Sequence, residues 1–346
     1  MTAGRATPAS EVYQPVFDHL ERLTDDRGLF EHALLTVPRR EHGYCVDDVA
    51  RGLVVVCHEP KPGPAARRLA RCYLAFVLDA IEPTGACHNR MAVDGQWRDE
   101  AAVGDWWGRA LWGLGVAAAS AQTPGMRARA IGGFRIAAQS RSPHVRSMAF
   151  AALGAAELLR SRPDDMAARG LLTDTLALIG TGGGDSLWPW PEERLNYANA
   201  SIAEALIVAG DALADAPALR HGLNLLEFLL HTETRDGHLS VTPVGVRGRD
   251  DVGPGYDQQP IEVSALADAC GSAFRITQQS SWLTGVRLAW DWFGGANDSA
   301  TPMFDPRTGG GYDGLERRGR NLNQGAESTL AMLATAQQAR RISELE

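Results

Sequence analysis

The feature that most constrains this chain is one kind of unit used repeatedly. An irregular stretch rich in aromatic and acidic residues runs into a helix of small residues, and the first turn of that helix carries a carboxylate or an amide. The instances are EHGYCVDDVARGLVVV from Glu41, GDWWGRALWGLGVAAA from Gly104, WPWPEERLNYANASIAEALIVAG from Trp188, YDQQPIEVSALADAC from Tyr256 and NLNQGAESTLAMLATA from Asn321. A pattern that recurs without strict sequence repetition marks one supersecondary unit placed several times around a common axis. Because the polar group stands at the helix start each time, the starts are expected to face one shared cavity.

Periodicity predicts about twelve helices of two kinds. Candidates near 10–24, 64–80, 125–140, 165–179, 217–232 and 279–293 carry charges opposite an apolar stripe, as in AARRLARCYLAFVLDAI from Ala65, and suit an outer layer. Those near 47–57, 105–120, 143–160, 199–212, 260–272 and 325–340 spread Ala and Gly around the helix, as in AFAALGAAELL from Ala149, which permits close packing on several sides. The connections are lopsided. They are short after each inner helix, whereas the segments 25–46, 81–104, 180–198, 233–259 and 294–324 before inner helices are long and rich in Gly, Asp and Pro. Alternating classes joined in this way predict an all-α (α/α)6 toroid with a thin face and a thick functional face at the inner-helix N-termini. No linker or charge block divides residues 1–346, so one carbohydrate-active domain is expected.

A formal net charge of −8 removes the usual electrostatic basis for binding nucleic acid or an anionic membrane, and favours a neutral small molecule or glycan as partner. The segment MTAGRATPASEVYQ lacks an apolar signal region, and no apolar run approaches the roughly 18 residues of a membrane span, so a cytoplasmic location is the expectation. The five cysteines, Cys45, Cys57, Cys72, Cys87 and Cys270, show neither CxxC nor Cys/His ligand spacing, so reduced thiols and no metal are expected. Cys45 stands apart, since it lies within the Asp-Asp motif. No Gly-rich phosphate loop appears, and no cofactor is expected.

Carboxylates at helix N-termini are stabilised by free N–H groups and the helix dipole, and such residues also serve as ordinary caps. Asp47 and Asp48 are the sharpest pair. Adjacent residues on a helix diverge by about 100°, so one side chain can enter the cavity while the other orients a neighbour. Cleaving a glycosidic bond needs a protonated acid at the leaving oxygen and a second carboxylate as base or nucleophile. Arg51, four residues after Asp47, is spaced for an ion pair with it, which makes Asp48 the better acid candidate. Glu262 and Glu327 are the further catalytic candidates. Aromatic faces stack on sugar rings while amides, acids and arginines bond hydroxyls. The candidate substrate contacts are accordingly His42, Tyr44, Asp105, Trp107, Arg109, Trp188, Trp190, Glu193, Tyr197, Asn199, Asp257, Gln258, Gln259, Asp313, Asn323 and Gln324. Asp105 and Arg109 also fit a structural ion pair, and Asp313 lies in a loop suited to a rim or lid.

Taken together, EHGYCVDDVAR, GRALWGLG from Gly108, WPWPEERLNYANA, YDQQPIE, GGGYDGL from Gly309 and NQGAEST from Asn323 resemble a group of bacterial (α/α)6 proteins that accompany mannoside phosphorylases and sugar transferases and are often labelled glycosyltransferase. The resemblance spans most of the chain. Locally, the Asp-Asp pair is similar to that of bacterial endo-α-1,6-mannanases, a likeness that implies Asp47 and Asp48 as catalytic carboxylates. Val49, Trp107 and Ala198 stand where the group commonly has Asn, a polar residue and Asp, which removes three polar groups from one cavity.

The expected function is hydrolysis of a mannose-containing or related oligosaccharide by carboxylate acid/base catalysis. The alternatives are a sugar epimerase or isomerase of the N-acylglucosamine epimerase type, whose proton transfers usually employ histidines, and a non-catalytic glycan-binding partner of a glycosyltransferase.

Overall fold

The structure, a computed structural model, describes residues 13–180, 185 and 187–344. Twelve α-helices are found among them: α1 (Asp18–Arg22), α2 (Val46–Cys57), α3 (Pro64–Asp79), α4 (Asp105–Ser120), α5 (Pro124–Ala137), α6 (Val145–Ser161), α7 (Met166–Ile179), α8 (Ala200–Ala212), α9 (Ala216–Thr232), α10 (Pro260–Thr277), α11 (Ser281–Gly294) and α12 (Ala326–Ser343). The even-numbered helices pack each on the next, and α12 packs on α2, which closes the inner ring. Each odd-numbered helix from α3 onward lies against the inner helix before it, and α1 lies against α12. This is the expected (α/α)6 toroid. The first outer helix is shorter than the expected span 10–24: residues 1–12 lie outside the described residues, and the helix covers only Asp18–Arg22. No helix among the described residues is long and apolar enough to cross a membrane.

Small residues set how closely the inner helices approach. A Cβ at Gly115 would stand 2.0 Å from the Gly154 carbonyl oxygen, and one at Gly154 would stand 2.1 Å from that of Leu111. The α4 and α6 backbones therefore touch directly, and an added methyl group can be housed only by moving a helix. Gly154→Ala is expected to cost about 1–3 kcal/mol, the range for overpacking a tight interior, read as a lower midpoint in chemical denaturation. A wild-type midpoint would mean that the helices can part without penalty.

The helix starts differ between the two layers. Outer helices α5, α7 and α9 are capped by their own residues, as Thr123, Asp165 and Asp215 each accept a hydrogen bond from a first-turn N–H. None of the inner helices has a side-chain cap at its own N-cap position. At α12, α8 and α2 a side chain from elsewhere in the chain supplies an acceptor instead. Asp313 accepts from Gly325 N (2.7 Å) before α12, and Glu262 of α10 accepts from Asn199 N (3.3 Å) and Ala198 N before α8. Asn89 accepts from Asp47 N (3.4 Å) in α2. First-turn acids of the inner ring are thus released from capping their own helices.

Among the described residues, six short antiparallel strand pairs shape the thick face. Tyr44–Cys45 with Arg90–Met91 brings the second long loop over the start of α2, and Arg194–Leu195 with Arg247–Gly248 ties together two loops distant in sequence.

Candidate active site at the inner-helix N-termini

Within the ring mouth on the thick face lies a cavity of about 400 Å³. Helix α2 supplies Asp47, Asp48 and Arg51, α4 supplies Asp105 and Trp106, and α12 supplies Glu327 and Ser328. Loops add Glu31, His32, Cys45, Asn89, Arg90, Gln259 and Asp313. Below it the axis narrows to a space of about 40 Å³ walled partly by Val54, Trp112 and Leu330. A larger bowl of about 860 Å³ opens on the thin face. Its inward acids are already engaged, Glu204 by Ser272 Oγ (2.7 Å) and Asp268 by Gln338 Nε2 (2.6 Å).

At the cavity floor three carboxylates surround one guanidinium. Arg51 Nη2 donates to Asp48 Oδ1 (2.5 Å) and Asp47 Oδ2 (2.8 Å), and Nη1 donates to Glu327 Oε2 (2.9 Å). Spacings of three and four residues place Asp48, Asp47 and Arg51 on neighbouring parts of the α2 surface. Ring closure brings Glu327 from the far end of the chain. Arg109 Nε stands 2.8 Å from the other oxygen of Asp47, close enough for charge pairing although its N–H direction makes no hydrogen bond. The Arg109 guanidinium lies 3.9 Å from the centre of the Phe150 ring, which fixes its plane.

Asp48 is the most deeply placed of the three, with its side chain 4% exposed. Burial pushes its pKa up to about 8; Arg51 opposes the shift, while Asp47, Glu327 and Glu31 add to it. The group therefore carries a proton at neutral pH and can deliver it. Cys45 beside it donates to Asn89 Oδ1 (3.2 Å), and burial with the two aspartates raises this thiol well above its ordinary range, which keeps it unreactive. Glu31, Cys45 and Asp48 each place one ligand-type atom within 4.8 Å of the others. Arg51 and Arg90 already hold the two carboxylates, and the thiol keeps its proton, so the donor set does not fit a resident metal.

Of the residues singled out in the sequence, the cavity gathers Asp47, Asp48, Asp105, Gln259, Asp313 and Glu327. Arg109 reaches it through Asp47. Tyr197 stands at the rim, half exposed, and donates its hydroxyl to Asp105, whose other oxygen accepts from Ser147 Oγ (2.6 Å). His42, exposed, meets His32 edge-on with ring centres 5.0 Å apart. Asp313 is a fixed part of the wall, holding Gly325 N and Ser328 Oγ (3.0 Å).

The other candidates lie away from the cavity. Tyr44 is core, stacked on Phe30 and donating to Asp25 Oδ2 (2.7 Å). Trp107 is fully buried and donates to Ala137 O (3.1 Å) toward the outer layer, while its neighbour Trp106 faces the cavity. Trp188 and Trp190 are buried and bond Glu192, through its carbonyl oxygen (2.8 Å) and carboxylate (3.3 Å) respectively. Glu193 points to solvent, and Glu192 instead pairs with Arg146 (2.6 Å). Asn199 donates to Glu262 Oε2 (3.2 Å), and both are buried. Burial also drives the Glu262 pKa up to about 8, against the N–H donors that hold it. Asp257 is exposed, and Gln258 is buried against Asp298 and Trp292. Asn323 and Gln324 anchor the 31–38 hairpin through Leu35. The cavity residues without an individual signal in the sequence include Glu31, His32, Asn89, Arg90 and Ser328.

No family model and no curated protein matches the chain. Among solved structures it is similar to a sugar epimerase from a ruminal bacterium, with TM-score 0.70, 12% identity and coverage of 94% of this chain and 96% of that one. It is also similar to cellobiose 2-epimerase from Bacillus thermoamylovorans B4167, with TM-score 0.70, 12% identity and coverage of 93% and 95%. A third likeness is to a GH76 alpha-mannanase from Bacteroides thetaiotaomicron, with TM-score 0.65, 12% identity and 95% of each chain covered. At such identities the similarity is one of fold, the (α/α)6 toroid.

Proposed function

We propose that the chain is one carbohydrate-processing domain and that it hydrolyses a glycosidic bond in a mannose-containing or related oligosaccharide. The observation that carries this reading is the trio of carboxylates on Arg51 at the cavity floor, one of them kept protonated by burial. Asp48 serves as general acid toward the leaving oxygen. Asp47 or Glu327 serves as base or nucleophile, Arg51 and Arg109 fix the carboxylates, and Trp106 offers the aromatic face. Glu262 maintains the turn before α8. The separation of the acid from its partner when sugar is bound decides the stereochemistry, about 5–5.5 Å for retention and about 6.5–9.5 Å for inversion.

The test is incubation with manno-oligosaccharides and other neutral glycans, with products resolved by chromatography. Shortened chains support hydrolysis. An intact chain with an inverted centre at the reducing-end sugar would replace it with the epimerase reading, which the names of two similar structures favour. That chemistry usually draws on histidines facing the substrate, and the single histidine lining this cavity, His32, has a half-exposed side chain. Binding of glycans without any product would select a non-catalytic role.

The raised Asp48 pKa gives a pH signature. The folded-state value lies above the ordinary one, so the acid form prevails below about 8 and is lost as pH rises through it. kcat/KM is expected to fall with a limb near pH 8, approaching tenfold per further unit. A limb near pH 4 to 5 and none near 8 would remove Asp48 from the acid role.

A further inference from the structure

Arg109 is held at the cavity floor with much of its bonding capacity unused. Its side chain is 4% exposed, its guanidinium lies over Phe150, and Phe150 runs nearly parallel to Trp112 with ring centres 6.4 Å apart. Asp105, four residues earlier and spaced to pair with it, is taken instead by Ser147 Oγ (2.6 Å) and the Tyr197 hydroxyl. Asp47 balances the charge, 2.8 Å from Nε. Nη1 and Nη2 form no hydrogen bond among the described residues and, unlike Nε, are not sealed off by neighbouring atoms.

Arg109 lines the axial space of about 40 Å³ beneath the cavity, and Arg51 lines both spaces. The wall of this recess is mostly apolar, with Val54, Trp112, Leu330 and Ala331 among its members. Toward the thin face it meets Glu204 and Asp268, which already accept from Ser272 and Gln338. A donor buried without an acceptor is costly, and an acceptor that enters beside it recovers the cost. No surplus of positive charge calls for an anion, since Arg51 and Arg109 face Asp47, Asp48 and Glu327. What the floor lacks is a neutral oxygen. The recess admits about three waters or a group of that size, far too little for a sugar ring. Of the parts of a neutral hexose, the exocyclic hydroxymethyl arm alone brings both a carbon for the apolar wall and a hydroxyl for the donor fork.

We propose that the axial recess receives the hydroxymethyl arm of the sugar bound in the cavity, with Arg109 donating to its hydroxyl, so that the site selects a hexose whose 6-hydroxyl is free. The inference rests on the glycosidase reading for where the ring sits. It adds which sugar is accepted there: pentoses, 6-deoxyhexoses and sugars substituted on that hydroxyl are rejected.

Calorimetric titration tests it without needing turnover. The probes are methyl mannoside, its 6-deoxy analogue and methyl lyxoside, which lacks the arm, together with the matching glucoside, 6-deoxyglucoside and xyloside. In the series that binds, the hexoside is expected to bind at least tenfold more tightly than either analogue, because a site built to bond a hydroxyl rejects ligands without it. Arg109→Met should remove the preference over the 6-deoxy sugar. Ala331→Leu, one turn below Glu327 on α12, should fill the recess and remove the preference over the pentoside. A general loss of structure would weaken all three ligands alike and leave these ratios unchanged. If Arg109→Met fails to fold, Ala331→Leu decides. The proposal alone is overturned if wild-type protein binds hexoside and analogues equally, or if the preference survives in either folded variant. Failure of every probe to bind at high millimolar concentration would overturn it together with the glycan reading.

Discussion

Asp48→Asn is expected to lower hydrolysis of a natural mannoside by roughly 10²-fold or more, because the amide keeps the shape of the acid but cannot transfer its proton. The fold should survive, since burial already keeps Asp48 neutral at pH 7 and an amide oxygen can accept from Arg51 Nη2 as the acid does. Substrate affinity should hold as well. An aryl glycoside with a good leaving group needs little protonation and should lose much less rate, and this contrast separates an acid from a residue that merely shapes the cavity. Equal losses on the two substrates would assign Asp48 a supporting role. Wild-type rates on both would take catalysis away from this aspartate.

Arg51→Met is expected to destabilise the protein by about 3–5 kcal/mol, the range for removing one partner from a buried charge cluster. The methionine fills much of the stem volume but leaves Asp48 and Glu327 without a cation and Asp47 with Arg109 alone. Carboxylates so left bind protons more tightly folded than unfolded. The deficit should therefore grow as pH rises above about 4, the ordinary carboxylate range, and shrink below it. Denaturation midpoints at pH 4 and pH 7 measure this. A loss of the same size at both would show that the arginine acts through packing and not through charge.

The fold was legible because its signals are local. Small residues on every face of AFAALGAAELL and a single apolar stripe on AARRLARCYLAFVLDAI distinguish inner from outer helices without knowledge of their neighbours. The start of α2 was legible for the same reason, since Asp47, Asp48 and Arg51 are set together by helical geometry alone. What could not be read were relations across distance. Glu262 has the sequence character of a cavity acid, but the backbone it holds is that of Ala198 and Asn199, brought beside it by ring closure. Trp106 and Trp107 are equal in sequence, and only the rotation of α4 within the ring sends the first to the cavity and the second to the outer layer. Trp188 and Trp190 sit in a polar, proline-bearing loop, yet both pack into the main hydrophobic core, Trp188 against Phe228 of α9. Arg90 reaches the site through strand pairing with Tyr44–Cys45, for which the segment has no periodic signal.

The borrowed caps of the inner helices bear on how such a protein can be altered. A loop that finishes a neighbouring helix cannot be exchanged as a free-standing cassette. Replacing 308–316 with a segment from another toroid would remove Asp313 and leave Gly325 N, before α12, without its acceptor. Recasting the 259–262 turn would loosen residues 198–199, which belong to a different repeat. Variation in specificity is thereby channelled toward side chains that reach the cavity without holding a foreign backbone, such as Gln259 and His32, and loop grafts into this scaffold should succeed only when the recipient helix start is redesigned with them.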